Sequence, residues 1–326
     1  MKAGELGEKK LVEMYVRNLF GSDLVTIPAG RDDTASVTHN GEELVLKTDV
    51  MFSSTHFPPA MGFKAMGRKV AVANLSDIAA MGARPLALLM AFGVPPGMDS
   101  EDLEKVFMGI NSACSEHRCP FVGGDTKKAK ELTLAGVAVG ACKKSELLRR
   151  SNARVGDIVA VTGNVGSAAC GMQILVKGLK LPPKLAAPLV RSFSSPVARI
   201  PEGRAIATAA PGSAAMDITD GLFYTASEIA KASKVGMRIQ EAKLPFPKEV
   251  REFAEKHAKS SPVRMLEYGE DYELVACVRK SRFKAAQEAV ENAGGRLTAI
   301  GEVIQGRRIL LDDRPVDTRG YDAILR

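Results

Sequence analysis

With 326 residues, 45% of them hydrophobic and 25% charged, the chain has material for about two domains at roughly 150 residues each, and its composition excludes a disordered or low-complexity protein. Forty-five Lys and Arg against 38 Asp and Glu leave a net charge of +7, which suits anionic ligands; the basic residues are scattered, and with no Trp, 5 Tyr and 12 Phe no base-stacking surface for nucleic acid is expected. Five cysteines without a C-x-x-C pair argue against a disulfide or zinc framework and for a reducing cytoplasm.

Met1–Lys10 alternates Lys, Glu and Gly where a signal peptide would carry an apolar core. Leu11, Tyr15 and Leu19, with Val12, Val16 and Phe20 beside them, then repeat at helical spacing up to Gly21, which predicts a first amphipathic helix. Short runs rich in β-formers predict strands at Glu43–Lys47, Leu86–Phe92 and Leu132–Val139, with helices over Phe63–Ala80 and Asp99–Glu116. Asp99 and Ser100 ahead of Glu101 and Asp102 make an N-cap and macrodipole pattern. Pro85–Pro96, the longest strongly apolar stretch, falls short of the roughly 18 residues of a membrane span, so no membrane partner is expected.

Lys143–Gly156 is basic and lacks apolar periodicity, and reads as an exposed connection that divides the chain into 1–142 and 143–326. Beyond it, strands at Asp157–Thr162, Ala214–Ile218, Gly236–Gln240 and Glu273–Val278 alternate with helices at Ser167–Leu175, Pro196–Ala210, Leu222–Ser233, Lys248–Ala258 and Arg282–Ala293. The expected class is α/β (α+β), built as two mixed α/β domains.

Five short segments place Asp among Gly, Ser or Thr beside probable strand ends: Arg31–Thr34, Thr48-Asp49, Ser76-Asp77, Gly123–Thr126 and Asp217–Gly221. Each alone is as well read as a turn or helix cap. Together they are what a multi-metal phosphoryl-transfer site requires, because hard divalent cations such as Mg²⁺ take oxygen ligands and bridge phosphates. Asp77 lies in the small-residue run Ala71–Ala83, where an unpaired carboxylate is costly, so ligation is favoured there over capping. Thr162–Gly166 has glycines at a strand-to-helix turn that could receive a phosphate or serve the turn alone. The chain has no Walker A or G-x-G-x-x-G loop, so ordinary ATPase and Rossmann readings lose support, and no G-x-S-x-G elbow or Cys–His arrangement, so no covalent nucleophile is expected. His56 follows Thr48-Asp49 closely enough to lie over the same site, though a lone His is more often structural.

The ordered series Asp32-Asp33, Thr48-Asp49 through His56-Phe57, Asn74–Ala83, Gly123–Thr126, Thr162–Gly166, Asp217–Gly221, Gly269–Leu274 and Gly320–Asp322 resembles the thiamine-monophosphate kinase family of the aminoimidazole ribonucleotide synthetase superfamily over the full length. The resemblance implies a cytoplasmic homodimer in which N-terminal sheets pair across two subunits, with the C-terminal sheet packed by helices and ATP in a cleft at each interface. It implies direct phosphoryl transfer from ATP to thiamine monophosphate. Asp33, Thr48, Asp49, Asp77, Asp125, Asp217 and Asp220 would hold several Mg²⁺ ions, Phe107, Gly124, Asp125, Arg150 and Thr219 would contact the nucleotide, and His56, Glu270 and Tyr321 the thiamine monophosphate. Three residues depart from the family pattern: Arg31 for Gly, Lys47 for Ser and Thr219 for Ser. Another ATP-using enzyme of the superfamily, or a non-catalytic nucleotide sensor, would keep the Asp segments. A selenophosphate synthetase would need a Cys- and Gly-rich N-terminal segment that is missing.

Overall fold

The computed structural model describes residues 8–17 and 19–320. The first half builds a six-stranded sheet in the order β1-β2-β3-β6-β4-β5, from β1 (Val25–Ile27), β2 (Ala35–His39), β3 (Glu42–Phe52), β4 (Arg84–Val94), β5 (Phe121–Lys128) and β6 (Thr133–Cys142). Its pairs are antiparallel except β4 with β5. The second half builds a seven-stranded sheet, β13-β12-β9-β11-β7-β10-β8, from β7 (Ile158–Thr162), β8 (Ala214–Asp217), β9 (Gly236–Ile239), β10 (Leu274–Val278), β11 (Leu297–Ile304), β12 (Ile309–Leu311) and β13 (Arg314–Pro315). Two mixed sheets with their helices make the expected α/β class.

Helices α1 (Glu8–Val16), α2 (Ser53–His56), α3 (Phe63–Ala80) and α4 (Ser100–Glu116) belong to the first half; α5 (Ser167–Lys177), α6 (Pro183–Ser194), α7 (Ile200–Ala209), α8 (Leu222–Ser233), α9 (Lys248–Lys256) and α10 (Lys280–Asn292) to the second. The small residues of α3 decide the packing. A Cβ on Gly67 would fall 2.0 Å from the Val106 carbonyl oxygen, and one on Gly109 1.9 Å from that of Lys64, so α3 and α4 touch backbone to backbone where only glycine fits. On its other side α3 meets the second half: Ala79 carbonyl oxygen would lie 2.1 Å from a Cβ on Gly203 of α7. One core runs through the junction, joining Leu75 and Ile78 of α3 to Phe193, Ala198, Tyr272 and Leu274.

Several sequence expectations are corrected. Leu19 and Phe20 lie beyond the end of α1 and are exposed, and the helix expected from Pro196 begins at Ile200. Thr48, Asp49 and Gly123–Thr126 lie within strands rather than loops. The Lys143–Gly156 connection is not simply exposed: it folds into two 3₁₀ turns and buries Leu147, Leu148 and Ala153. Its charges hid three apolar anchors.

Candidate active site

Three carboxylates converge where the two halves meet. Asp33 stands in the loop between β1 and β2, Asp77 in the last turn of α3, and Asp217 at the end of β8; all are buried, and each offers an oxygen within 4.8 Å of the others. Helix position rules out N-capping by Asp77. Burial, then the neighbouring negative charges, raises Asp77 well above the ordinary aspartate range; burial and Asp33 push Asp217 up to about 7. Burial and Asp33 likewise push Asp32 to about 7.

Cations and a hydroxyl hold this group together. Lys47 Nζ lies 3.0 Å from Asp77 Oδ1, the Arg150 guanidinium pairs with Asp33, and Ser76 Oγ donates to Asp217 Oδ2 at 2.5 Å. The Arg150 backbone N–H also donates to Asp32 Oδ1 at 3.2 Å. Burial alone would lower the Lys47 pKa, but Asp77, Asp49 and Asp217 outweigh it and keep the ammonium charged. Asp32 Oδ2 and Asp33 Oδ2 are buried without a hydrogen-bond partner. Such oxygens beside three converging carboxylates fit a hard divalent cation.

Asp217–Gly221 is clamped to the segment before β10. Glu270 N–H donates to the Thr219 carbonyl at 2.9 Å, Tyr272 N–H to that of Ile218 at 3.1 Å, and Ile218 N–H to that of Glu273 at 2.8 Å. A Cβ on Gly269 would sit 1.5 Å from the Thr219 oxygen, so glycine is required. Glu270 and Tyr272 adopt φ of 67° and 52°, a strained register kept only where surroundings enforce it. Glu270 Oε1 is 2.7 Å from Nζ of Lys69, a fully buried residue whose ammonium lies 3.6 Å from the Phe193 ring centroid. Burial outweighs Glu270 and lowers the Lys69 pKa. Sequence reasoning missed Lys69; its place between Met66 and Ala73 on the apolar face of α3 was the available signal.

The other expected residues are more dispersed. Asp49 lies two positions beyond Lys47 on the same side of β3 and adds to its field, while Asp220 is half-buried beyond Asp217. Thr48 Oγ1 donates to the Gly136 carbonyl at 2.9 Å. Gly124 and Asp125 lie on edge strand β5, three strands from β3, about 14 Å at ordinary strand spacing. Asp125 is 63% exposed and pairs with Lys127 at 2.9 Å. Phe107 of α4 stacks edge-on against Phe92, centroids 5.0 Å apart. His56 ends α2 outside the carboxylate group, its Nδ1 accepting from Phe52 N–H at 3.2 Å. Tyr321 lies outside the described residues.

Two local expectations change. Of Thr162–Gly166, read above as a phosphate turn or a plain tight turn, the Gly166 N–H donates to the Asp271 carboxylate at 2.8 Å, as does the Ala168 N–H beyond it at 3.1 Å; that helix start is capped from within. Gly30, with φ of 73°, makes the left-handed turn before the paired aspartates, so Arg31 needs no glycine-like backbone. Arg31 lines an open cleft of about 550 Å³ with Arg149, Arg150 and Lys231, a basic wall beside the acid group.

Two mixed sheets meeting at buried aspartates define an AIR synthase-related protein: residues 31–142 match the family "AIR synthase related protein, N-terminal domain" and residues 154–313 its "C-terminal domain". The thiamine-monophosphate kinase of Pyrococcus horikoshii is 34% identical over 308 residues, covering 94% of this chain and 91% of that protein. That of Aquifex aeolicus is 29% identical over 321 residues, covering 98% and 99%. A solved structure described as AaThiL complexed with AMPPCP and TMP matches with a TM-score of 0.88 and 29% identity, covering 99% of each chain. The chain belongs to the thiamine-monophosphate kinase family and is an enzyme, a kinase.

Proposed function

We propose that this chain transfers the terminal phosphoryl group of ATP to thiamine monophosphate, yielding thiamine diphosphate and ADP in one in-line displacement. The observation that carries the reading is the buried Asp33, Asp77 and Asp217 group, with uncommitted oxygens at the junction of the two halves. Mg²⁺ ions held by Asp33, Thr48, Asp49, Asp77, Asp125, Asp217 and Asp220 would supply charge neutralisation at the phosphates.

The protein's own groups position the reactants. Arg150, anchored on Asp32 and Asp33, would contact the nucleotide phosphates, with Gly124, Thr219 and the aromatic Phe107 as the other expected nucleotide contacts. Glu270, paired with Lys69, would contact the cationic acceptor, with His56 and Tyr321 as the other expected acceptor contacts. No side chain in this set serves as a covalent nucleophile, which is consistent with direct transfer. Residues 1–142 would bind nucleotide and metal and residues 143–326 complete the site.

A homodimer belongs to the same reading. The first sheet leaves Leu46, Val50, Leu89 and Val137 between 37% and 40% exposed on one side, a surface suited to a second copy. No helix of the described residues is long and apolar enough to cross a membrane.

Incubation with ATP, Mg²⁺ and thiamine monophosphate should give thiamine diphosphate by mass, with inversion at a chiral phosphorus. ATP binding without any product would favour a sensor, and turnover only with a ribonucleotide would favour another enzyme of the superfamily.

A further inference from the structure

Lys47 occupies an unusual place for a lysine. Strand alternation turns it, with Val45 and Asp49, toward α3 instead of the open side of the sheet. Its ammonium stands 3.0 Å from Asp77 Oδ1, and Asp49 and Asp217 are its next acidic neighbours. Arg150 neutralises Asp33 in the same group.

The consequence for metal occupancy is electrostatic and steric. A Mg²⁺ ion ligates a carboxylate oxygen at about 2.1 Å and holds near-octahedral geometry. An ammonium already bonded to that oxygen claims part of its lone-pair space, and like charges a few ångströms apart repel strongly in a poorly solvated site. Lys47 and a divalent ion on Asp77 Oδ1 are therefore alternatives. The lysine has the advantage of being covalently attached, so it loses no translational freedom on arrival.

We infer that Lys47 is a built-in monovalent substitute for one divalent cation, so that this chain binds one metal ion fewer beside Asp77 than it would with a small residue at position 47. The inference rests on the metal-binding part of the function proposed above. It accounts for an Asp77 carboxylate that is buried in a helix of small residues, close to Asp33 and Asp217, and that takes the Lys47 ammonium as its counter-ion.

The test counts ions on the full chain. Wild type and Lys47→Ser are each saturated with the non-hydrolysable analogue AMPPCP and titrated with Mn²⁺, and free Mn²⁺ is followed by electron paramagnetic resonance. The serine variant should hold about one more Mn²⁺ per chain. Its melting temperature should fall below that of wild type in chelator and recover with Mn²⁺, because Asp77 has lost its counter-ion. Lys47→Arg should keep the wild-type count, and Lys47→Gln, which fills the space without charge, gives the same comparison as serine should that variant not fold. Equal, non-zero counts in wild type and the neutral variants would overturn the inference while leaving the metal site standing. Absence of Mn²⁺ from every protein would overturn both, and thiamine diphosphate formation by wild type tests the kinase reading separately.

Discussion

The two sheets share a mixed topology but differ in how they are covered. Strands β7, β8 and β10 of the second sheet are buried along almost their whole length, whereas β3 and β4 of the first alternate buried with exposed positions. Helices α3 and α4 protect one side of the first sheet; on the other Leu46, Val50, Leu89 and Val137 meet solvent. The second half is closed on itself and holds Asp217, Glu270 and Asp271 in fixed positions. The first half contributes a buried side to the acid group and a partly exposed apolar side, and Asp125 lies on its exposed edge strand.

The largest effect should come from the buried side. Asp217→Asn or Asp77→Asn should lower kcat on the order of a thousandfold while circular dichroism stays native, because each removes charge at the phosphates. Near-wild-type turnover in both would move the reaction away from the junction. The uneven covering of the sheets can be broken next. Val161→Asp places an unpaired charge in the closed sheet and should cost about 3 kcal/mol or more in denaturant unfolding. Val137→Asp, on the open side, should leave monomer unfolding within about 1 kcal/mol of wild type but shift sedimentation from dimer to monomer. Equal destabilisation by both, without change in association, would mean that the open side needs no partner.

A smaller effect is expected at the acceptor side. Lys69→Met keeps the buried volume but leaves Glu270 without its cation, and should raise KM for thiamine monophosphate about tenfold with KM for ATP little changed. Equal rises for both substrates would assign Lys69 to the fold alone. The smallest effect is a pH dependence. Folding pushes Asp32 and Asp217 to about 7 from 3.8, mainly through burial. Between those values the folded state keeps protons that the unfolded chain has released, so stability in chelator falls as pH rises through that window and levels off above it. Mg²⁺ favours the ionised forms and should flatten the fall by a few degrees in melting temperature, on the order expected for about 1 kcal/mol. A melting temperature in chelator that rises between pH 5 and 7 would contradict the burial of these carboxyls.

Local pattern carried much of the fold. The helix over Phe63–Ala80 was legible to the residue from its length between two strand-like runs, and α5, α8, α9 and α10 were legible to within a few residues. Helix α6 was missed because Pro183 and Pro188 interrupt its pattern, although proline in the first turn is compatible with a helix. Strands β1, β12 and β13 are too short, at two or three residues, for alternation to register.

The sequence by itself determined the α/β class, the family and the acidic segments, since these depend on residue type and on neighbours a few positions away. Which carboxylates meet was decided only by tertiary structure. Asp33, Asp77 and Asp217 come from a loop, a helix and a strand end that are far apart in the chain, and nothing in their spacing separates them from Asp125, which the same motif series includes and which lies outside their group on the edge strand β5. The same holds for Lys47 and Lys69: a lysine's role depends on whether packing leaves it to water or presses it against an acid. Burial by a distant segment, which no local pattern encodes, made one the partner of Asp77 and the other that of Glu270.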